Sequence, residues 1–169
     1  GVRYLTIFAF STENWRRTQT EVAGLMSLFR RYITQEAKAL KAENVRVRFI
    51  GDRVKLDTKL VILMDELETL TEGCTGVNLT IALNYGGRDE VARATQRLAQ
   101  DVAAGILDPA SIDQETLPKY LDTHVLPDPD LVSRTSGEAR ISNFLLWQSA
   151  YAEYEISPVM WPDFTAAHF

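Results

Sequence analysis

The sequence predicts an α/β domain with a mostly parallel central sheet flanked by helices. Three observations carry this. Strand-like and helix-like segments alternate along the chain, as in successive β–α–β units. Residues 4–10 are almost uninterrupted in apolar and β-favouring types, as in a strand covered on both faces. The segments between strands carry apolar residues three and four apart, the stripe of a helix packed on one side.

Taken in order, the strand over residues 4–10 ends in the polar loop Ser11-Thr-Glu-Asn-Trp-Arg-Arg17. A long helix is predicted over residues 20–43, with Val22, Leu25, Met26, Phe29, Ile33, Ala37 and Leu40 on one face. Thr20 is its expected N-cap and Asn44 its stop. Residues 45–50 alternate and form a second strand, closed by Gly51-Asp52. Leu56, Leu60, Leu63, Met64, Leu67 and Leu70 mark a second helix. A third strand over residues 77–83 stops at Asn84-Tyr-Gly-Gly-Arg88. Asp89 is expected to cap a third helix, with Val91, Ala94, Thr95, Leu98 and Val102 on one face and Gly105 closing it. Residues 111–121 read as a short helix capped by Ser111, residues 124–130 as a turn rich in Pro and Asp, and residues 131–133 and 154–156 as two further strands. Phe144 to Trp147 reads as a buried helical turn.

The 169 residues fit one domain, and 46% hydrophobic with 24% charged residues is enough apolar material for a core. The net charge of −5 argues against a general nucleic-acid binder, so an anion site must be local. With Cys74 alone there is no intrachain disulfide and no cysteine-built metal site, and two imidazoles, His124 and His168, argue against a multi-histidine site. No apolar run approaches the ~18–20 residues of a membrane span, and no signal peptide is recognisable. Because the chain opens inside a strand and without methionine, it is expected to be a fragment lacking an N-terminal part. Neither a dinucleotide-binding glycine fingerprint, a P-loop nor a nucleophile elbow occurs.

Three polar loops fall at predicted strand ends: residues 11–17, 84–88 and 134–142. Ligands of open parallel sheets bind at the carboxyl ends of strands, so one composite site is expected. The third loop, Arg134-Thr-Ser-Gly-Glu-Ala-Arg-Ile-Ser142, is the most telling. Two guanidinium forks match phosphate oxygens in pairs, and hydroxyl and backbone donors complete a diphosphate site. Glu153, eleven residues beyond Ser142, offers a carboxylate that could return to the site and hold Mg2+ bridged to phosphate.

Together Phe10-Ser-Thr-Glu-Asn-Trp15, Asn84-Tyr-Gly-Gly-Arg88, Arg134-Thr-Ser-Gly-Glu138, Arg140-Ile-Ser-Asn-Phe-Leu-Leu-Trp-Gln148 and Trp161-Pro-Asp-Phe164 resemble the cis-prenyltransferase family, most closely the bacterial undecaprenyl diphosphate synthases. The pieces run in family order over nearly the whole chain, residues 1–169, as a single domain. The resemblance implies a Mg2+-dependent transferase that condenses isopentenyl diphosphate with an allylic diphosphate such as farnesyl diphosphate, giving a long-chain cis-polyprenyl diphosphate. By the same resemblance Arg134, Arg140, Ile141 and Ser142 hold the diphosphate of isopentenyl diphosphate. Glu153 contributes to the metal site, and Asn14 takes part in removing the proton. Ser11, Thr12, Glu13, Trp15 and Arg17 belong to the substrate-binding segment. An amide is a poor base, so Asn14 would position substrate, the Ser11 hydroxyl or a water, and a diphosphate oxygen could take the proton. For Trp15 the resemblance favours a substrate contact, with a buried anchor as the alternative. The family also implies a homodimer in the cytoplasm, with peripheral membrane association and no nucleic acid partner.

The chain departs from the family in four places. No Asp-Gly-Asn-Gly-Arg stretch, which in relatives binds Mg2+ and the allylic diphosphate, occurs in it. The segment that in relatives follows Phe169 is absent as well, so the 169 residues alone are expected to be inactive. Ala139 stands where histidine or glutamine is common, and Ser136 replaces a glycine. The competing expectation is a non-catalytic partner subunit of a cis-prenyltransferase complex.

Overall fold

A computed structural model describes residues 1–168. The chain runs β1 (Tyr4–Ser11), α1 (Gln19–Ala42), β2 (Arg46–Ile50), α2 (Thr58–Thr71), β3 (Asn78–Tyr85), α3 (Gly87–Ala103), β4 (Leu131–Arg134) and β5 (Glu153–Ile156), with short 3-10 turns between. The α/β class is as expected. The strands are all parallel but form two sheets, one ordered β1-β3-β2 and one pairing β4 with β5.

β1 differs from the expectation of a strand covered on both faces. It lies at a sheet edge, and Tyr4 and Leu5 are exposed while Phe10 is buried. Its register slips between Phe8 and Phe10. Without that bulge Phe8 and Phe10 would share a face. Instead Phe10 joins the core under α1 and α2, and Phe8 joins a second cluster with Ile50, Ala82, Tyr85, Phe144 and Leu145.

α1 packs its apolar stripe on the first core, with Met26 and Ile33 fully buried. Its cap is Thr18 rather than Thr20: the Thr18 hydroxyl accepts from the Glu21 amide, and the Glu21 carboxylate reaches back to the Thr18 amide. Asn44, at φ 58, ends the helix as expected. α2 is capped by Asp57 and buries Leu60, Met64 and Leu67. The amides of Val47, Phe49 and Gly51, at alternate positions of the edge strand β2 and its exit, are taken by side chains of Thr71, Glu68 and Asp122.

Between Asp108 and Leu121 the expected helix is replaced by two 3-10 turns, Pro109–Ser111 and Leu117–Tyr120, the first capped by Asp108 instead of Ser111. Pro118 has no amide hydrogen to continue a helix through this stretch. Phe144 to Trp147 forms turns, because Ser142, Asn143 and Leu145 all have positive φ.

Candidate active site

The loops after β1, β3 and β4 meet at the carboxyl ends of their strands. After β1, Thr12–Arg16 forms a 3-10 turn. Asn14 closes it, its Oδ1 accepting from the Ser11 amide at 2.9 Å. Glu13 Oε2 accepts from the Thr12 hydroxyl at 3.1 Å, and Glu13 Oε1 from Asn143 Nδ2 at 2.8 Å. Partial desolvation raises the Glu13 pKa, but hydrogen bonds from Asn143, the backbone, Thr12 and Ser11 outweigh it and hold the carboxyl below the usual range.

Trp15 is half-buried, set edge-on to Phe10 at 5.2 Å, and its Nε1 donates to Asn84 Oδ1 at 2.7 Å. This is the geometry of an anchor. Asn84 is itself buried, sits at φ 51 and donates to the Asp52 carbonyl at 2.6 Å. The left-handed turn breaks the alternation of β3 and swings Tyr85 onto Phe8 and Phe144. Arg17 is exposed just beyond the turn.

The Asn84–Arg88 loop enters α3 through two glycines. A Cβ on Gly86 would lie 2.6 Å from Thr12 Oγ1 and 2.8 Å from Asn143 Nδ2, so no side chain fits between the three loops. Asp89 does not cap α3. Gly86 occupies the cap position without a side chain, and Asn143 serves from 55 residues away, its carbonyl accepting from Gly87 N at 2.7 Å and its Oδ1 from Arg88 N at 2.9 Å.

After β4, the two arginines converge on one carboxylate. Arg134 Nη1 donates to the Ser142 hydroxyl at 2.7 Å and to the Arg140 carbonyl at 2.6 Å, while its Nη2 pairs with Glu138. Arg140 reaches the same carboxylate at 2.7 Å and 3.2 Å. Those bonds, Arg140's first and then Arg134's, hold the Glu138 carboxyl below the ordinary range. Arg134 Nε is buried without an acceptor, whereas most of Arg140 is exposed. The Glu138 carboxylate thus occupies the donors of both guanidinium forks. Ile141 and Ala139 are exposed on the same loop.

Glu153 is exposed and opens β5 opposite Leu131, whereas Arg134 pairs with Ile156. Three strand residues, roughly 10 Å of backbone, separate the Glu153 position from the arginine end. Among the described residues no three acidic, histidine or cysteine side chains gather as a metal cage. Carboxylates this scattered fit a divalent ion only where substrate oxygens and water supply most of its ligands, and Glu153 is the one the family resemblance assigns to it.

Behind the loops lies a buried polar network that the sequence reading did not find. Glu90, fully buried, accepts from the Tyr85 hydroxyl at 2.5 Å, Gln148 Nε2 at 3.0 Å and the Asp122 amide at 2.8 Å. Burial, and then the Glu90 carboxylate, push the Tyr85 hydroxyl far above the ordinary tyrosine range, so it remains the donor. Asp122 is held by both terminal nitrogens of Arg93 at 2.9 and 2.7 Å. The signal was available only as an acidic residue on the inner side of α3.

The chain is similar to known proteins over its whole length. The family model described as "Putative undecaprenyl diphosphate synthase" matches residues 1–169. The chain is 53% identical over 167 residues to an isoprenyl transferase of Brucella abortus, covering 99% of this chain and 66% of that protein, and 52% identical to one of Agrobacterium fabrum, covering 68% of it. It thus spans about two-thirds of the length of these relatives. Among solved structures, lavandulyl diphosphate synthase from Lavandula x intermedia, in complex with dimethylallyl diphosphate, superposes with a TM-score of 0.96 at 34% identity over 99% of this chain and 73% of that one. A probable undecaprenyl diphosphate synthase from Campylobacter jejuni superposes with a TM-score of 0.85 at 35% identity over 96% and 75%. With its whole length matched and its strand-end loops assembled, the chain belongs to the undecaprenyl diphosphate synthase-like prenyltransferase family.

Proposed function

We propose that the loop of residues 134–142 holds the diphosphate of isopentenyl diphosphate, within a transferase that joins this unit to an allylic diphosphate such as farnesyl diphosphate and makes a long-chain cis-polyprenyl diphosphate. The observation that carries the reading is the convergence of Arg134 and Arg140 on one carboxylate, with the Ser142 hydroxyl on the same guanidinium. Such a pair accepts phosphate oxygens as readily as carboxylate oxygens, and two at a time. In the condensation the allylic carbon–oxygen bond breaks and the diphosphate leaves with the bonding electrons, the allylic carbon bonds to the double bond of the isopentenyl unit, and that unit loses a proton. Fixed arginines hold the isopentenyl unit, the acceptor of the prenyl group, where that bond can form.

Asn14 is proposed to position the proton-accepting group. Its Oδ1 is engaged with the Ser11 amide, so its free amide hydrogens are what it can offer substrate or water. Ser11, Thr12, Glu13 and Arg17 complete the wall of the site, Ile141 lies beside the arginines, and Trp15 acts through its bond to Asn84. Mg2+, when bound with substrate, would neutralise diphosphate charge, and Glu153 is the residue proposed to face it. A homodimer and a cytoplasmic, membrane-peripheral location fit the family reading; no helix among the described residues is long and apolar enough to cross a membrane.

The test is incorporation of labelled isopentenyl diphosphate onto farnesyl diphosphate by this chain extended to its relatives' length, beside an Arg140→Ala variant. Incorporation, with KM for isopentenyl diphosphate raised about ten- to hundredfold in the variant, is expected from loss of one charge-assisted contact. A folded extended chain that incorporates nothing would favour the non-catalytic partner instead.

A further inference from the structure

Asn143 is not among the residues that the arginine loop offers to a ligand, yet it joins all three loops. Its Nδ2 donates to Glu13 Oε1 across 130 residues, and its Oδ1 and carbonyl cap the first two amides of α3 across about 55. It follows directly on Ser142, whose hydroxyl is fixed to Arg134, and its backbone holds φ 63. Gly86 leaves only enough room for its amide beside Thr12. A covalent and hydrogen-bonded path therefore runs from Arg134 through Ser142 and Asn143 to Glu13, next to Asn14.

Resting on the diphosphate reading above, we infer that Asn143 is a positioning residue that sets the separation between the diphosphate loop and the Asn14 segment. Condensation needs the isopentenyl carbon that loses its proton and the proton-handling group at a fixed distance, and an error near 1 Å costs on the order of a hundredfold in rate. Neither arginine can set that distance, because both are anchored within their own loop. Asn suits the position because it tolerates left-handed backbone and carries a donor and an acceptor on one short side chain.

The test uses the 169-residue chain and isopentenyl diphosphate, with calorimetry for affinity and thermal unfolding for stability. Asn143→Gly keeps the backbone freedom and removes the amide. It is expected to weaken binding roughly tenfold, about the equivalent of one hydrogen bond, at a temperature where the variant is fully folded. Asn143→Asp sets a carboxylate against Glu13 and is expected to weaken binding further. Glu13→Gln combined with Asn143→Asp reverses donor and acceptor, restoring the contact while the Arg88 amide keeps its acceptor. Recovery to within about threefold of Glu13→Gln alone is expected, which a general loss of folding stability would not produce. Affinity unchanged in both single Asn143 variants, or no recovery in the exchange pair, overturns the assignment of Asn143. Absence of binding to the unmodified chain overturns the diphosphate reading itself, a separate result. If Asn143→Gly does not fold, the exchange pair decides.

Discussion

Replacing Glu90 by glutamine tests whether the site rests on a buried ionised acceptor. The two carboxylate oxygens receive three donors, from Tyr85, Gln148 and the Asp122 amide. An amide offers one acceptor oxygen and one NH2. With its oxygen toward Tyr85 and Gln148, the NH2 meets the Asp122 amide donor head-on; turned around, it leaves two donors unpaired. The better orientation strands one buried donor, about 1–3 kcal/mol. It also replaces charge-assisted bonds by neutral ones of roughly half their strength. The sum is about 2–4 kcal/mol, or roughly 5–15 °C in Tm at 2–4 °C per kcal/mol for a chain of this size. Urea and thermal unfolding followed by circular dichroism measure it, with the exposed Glu36→Gln as reference. A loss under about 0.5 kcal/mol, no larger than that of an ordinary surface change, would refute the three-donor account.

Asn84→Ala removes the partners of Trp15 Nε1 and the Asp52 carbonyl and puts alanine at φ 51. About 3–5 kcal/mol of destabilisation is expected from unfolding curves. Glu138 titrates below an ordinary glutamate because Arg140, and then Arg134, bind its ionised form. Since the folded-state pKa is the depressed one, the stabilisation is present above the unfolded value of about 4.3 and is lost as pH falls through the folded one. Carboxyl NMR should give a midpoint below that of a free glutamate, and one at or above it would contradict the paired geometry.

What could be read from the sequence was what repeats locally. The stripes of α1 and α2 are periodic, and the polar loops stand out at strand ends, so the long helices, the order of strands along the chain and the meeting of the three loops were legible. The arginine loop was visible because its residues lie within nine positions. The misreadings share a cause. Asp89 looked like a cap since nothing near it competes, yet Asn143 supplies the acceptors through space. The bond of Trp15 Nε1 to Asn84, 69 residues on, likewise had no local signal. Glu90 gives no periodic signal, because a buried carboxylate is legible only once its donors are assembled. The bulge that sends Phe8 and Phe10 to opposite cores has no composition of its own.

The outer margin of β2 has a consequence for how this molecule meets other chains. Exposed strand margins offer unpaired amides on which another chain can add itself. Here the alternate amides of Val47, Phe49 and Gly51 are already spoken for by Thr71, Glu68 and Asp122. A foreign strand arriving on that side would have to displace three intramolecular acceptors, one of them clamped by Arg93. Strand-by-strand aggregation is thus discouraged along this flank of the sheet.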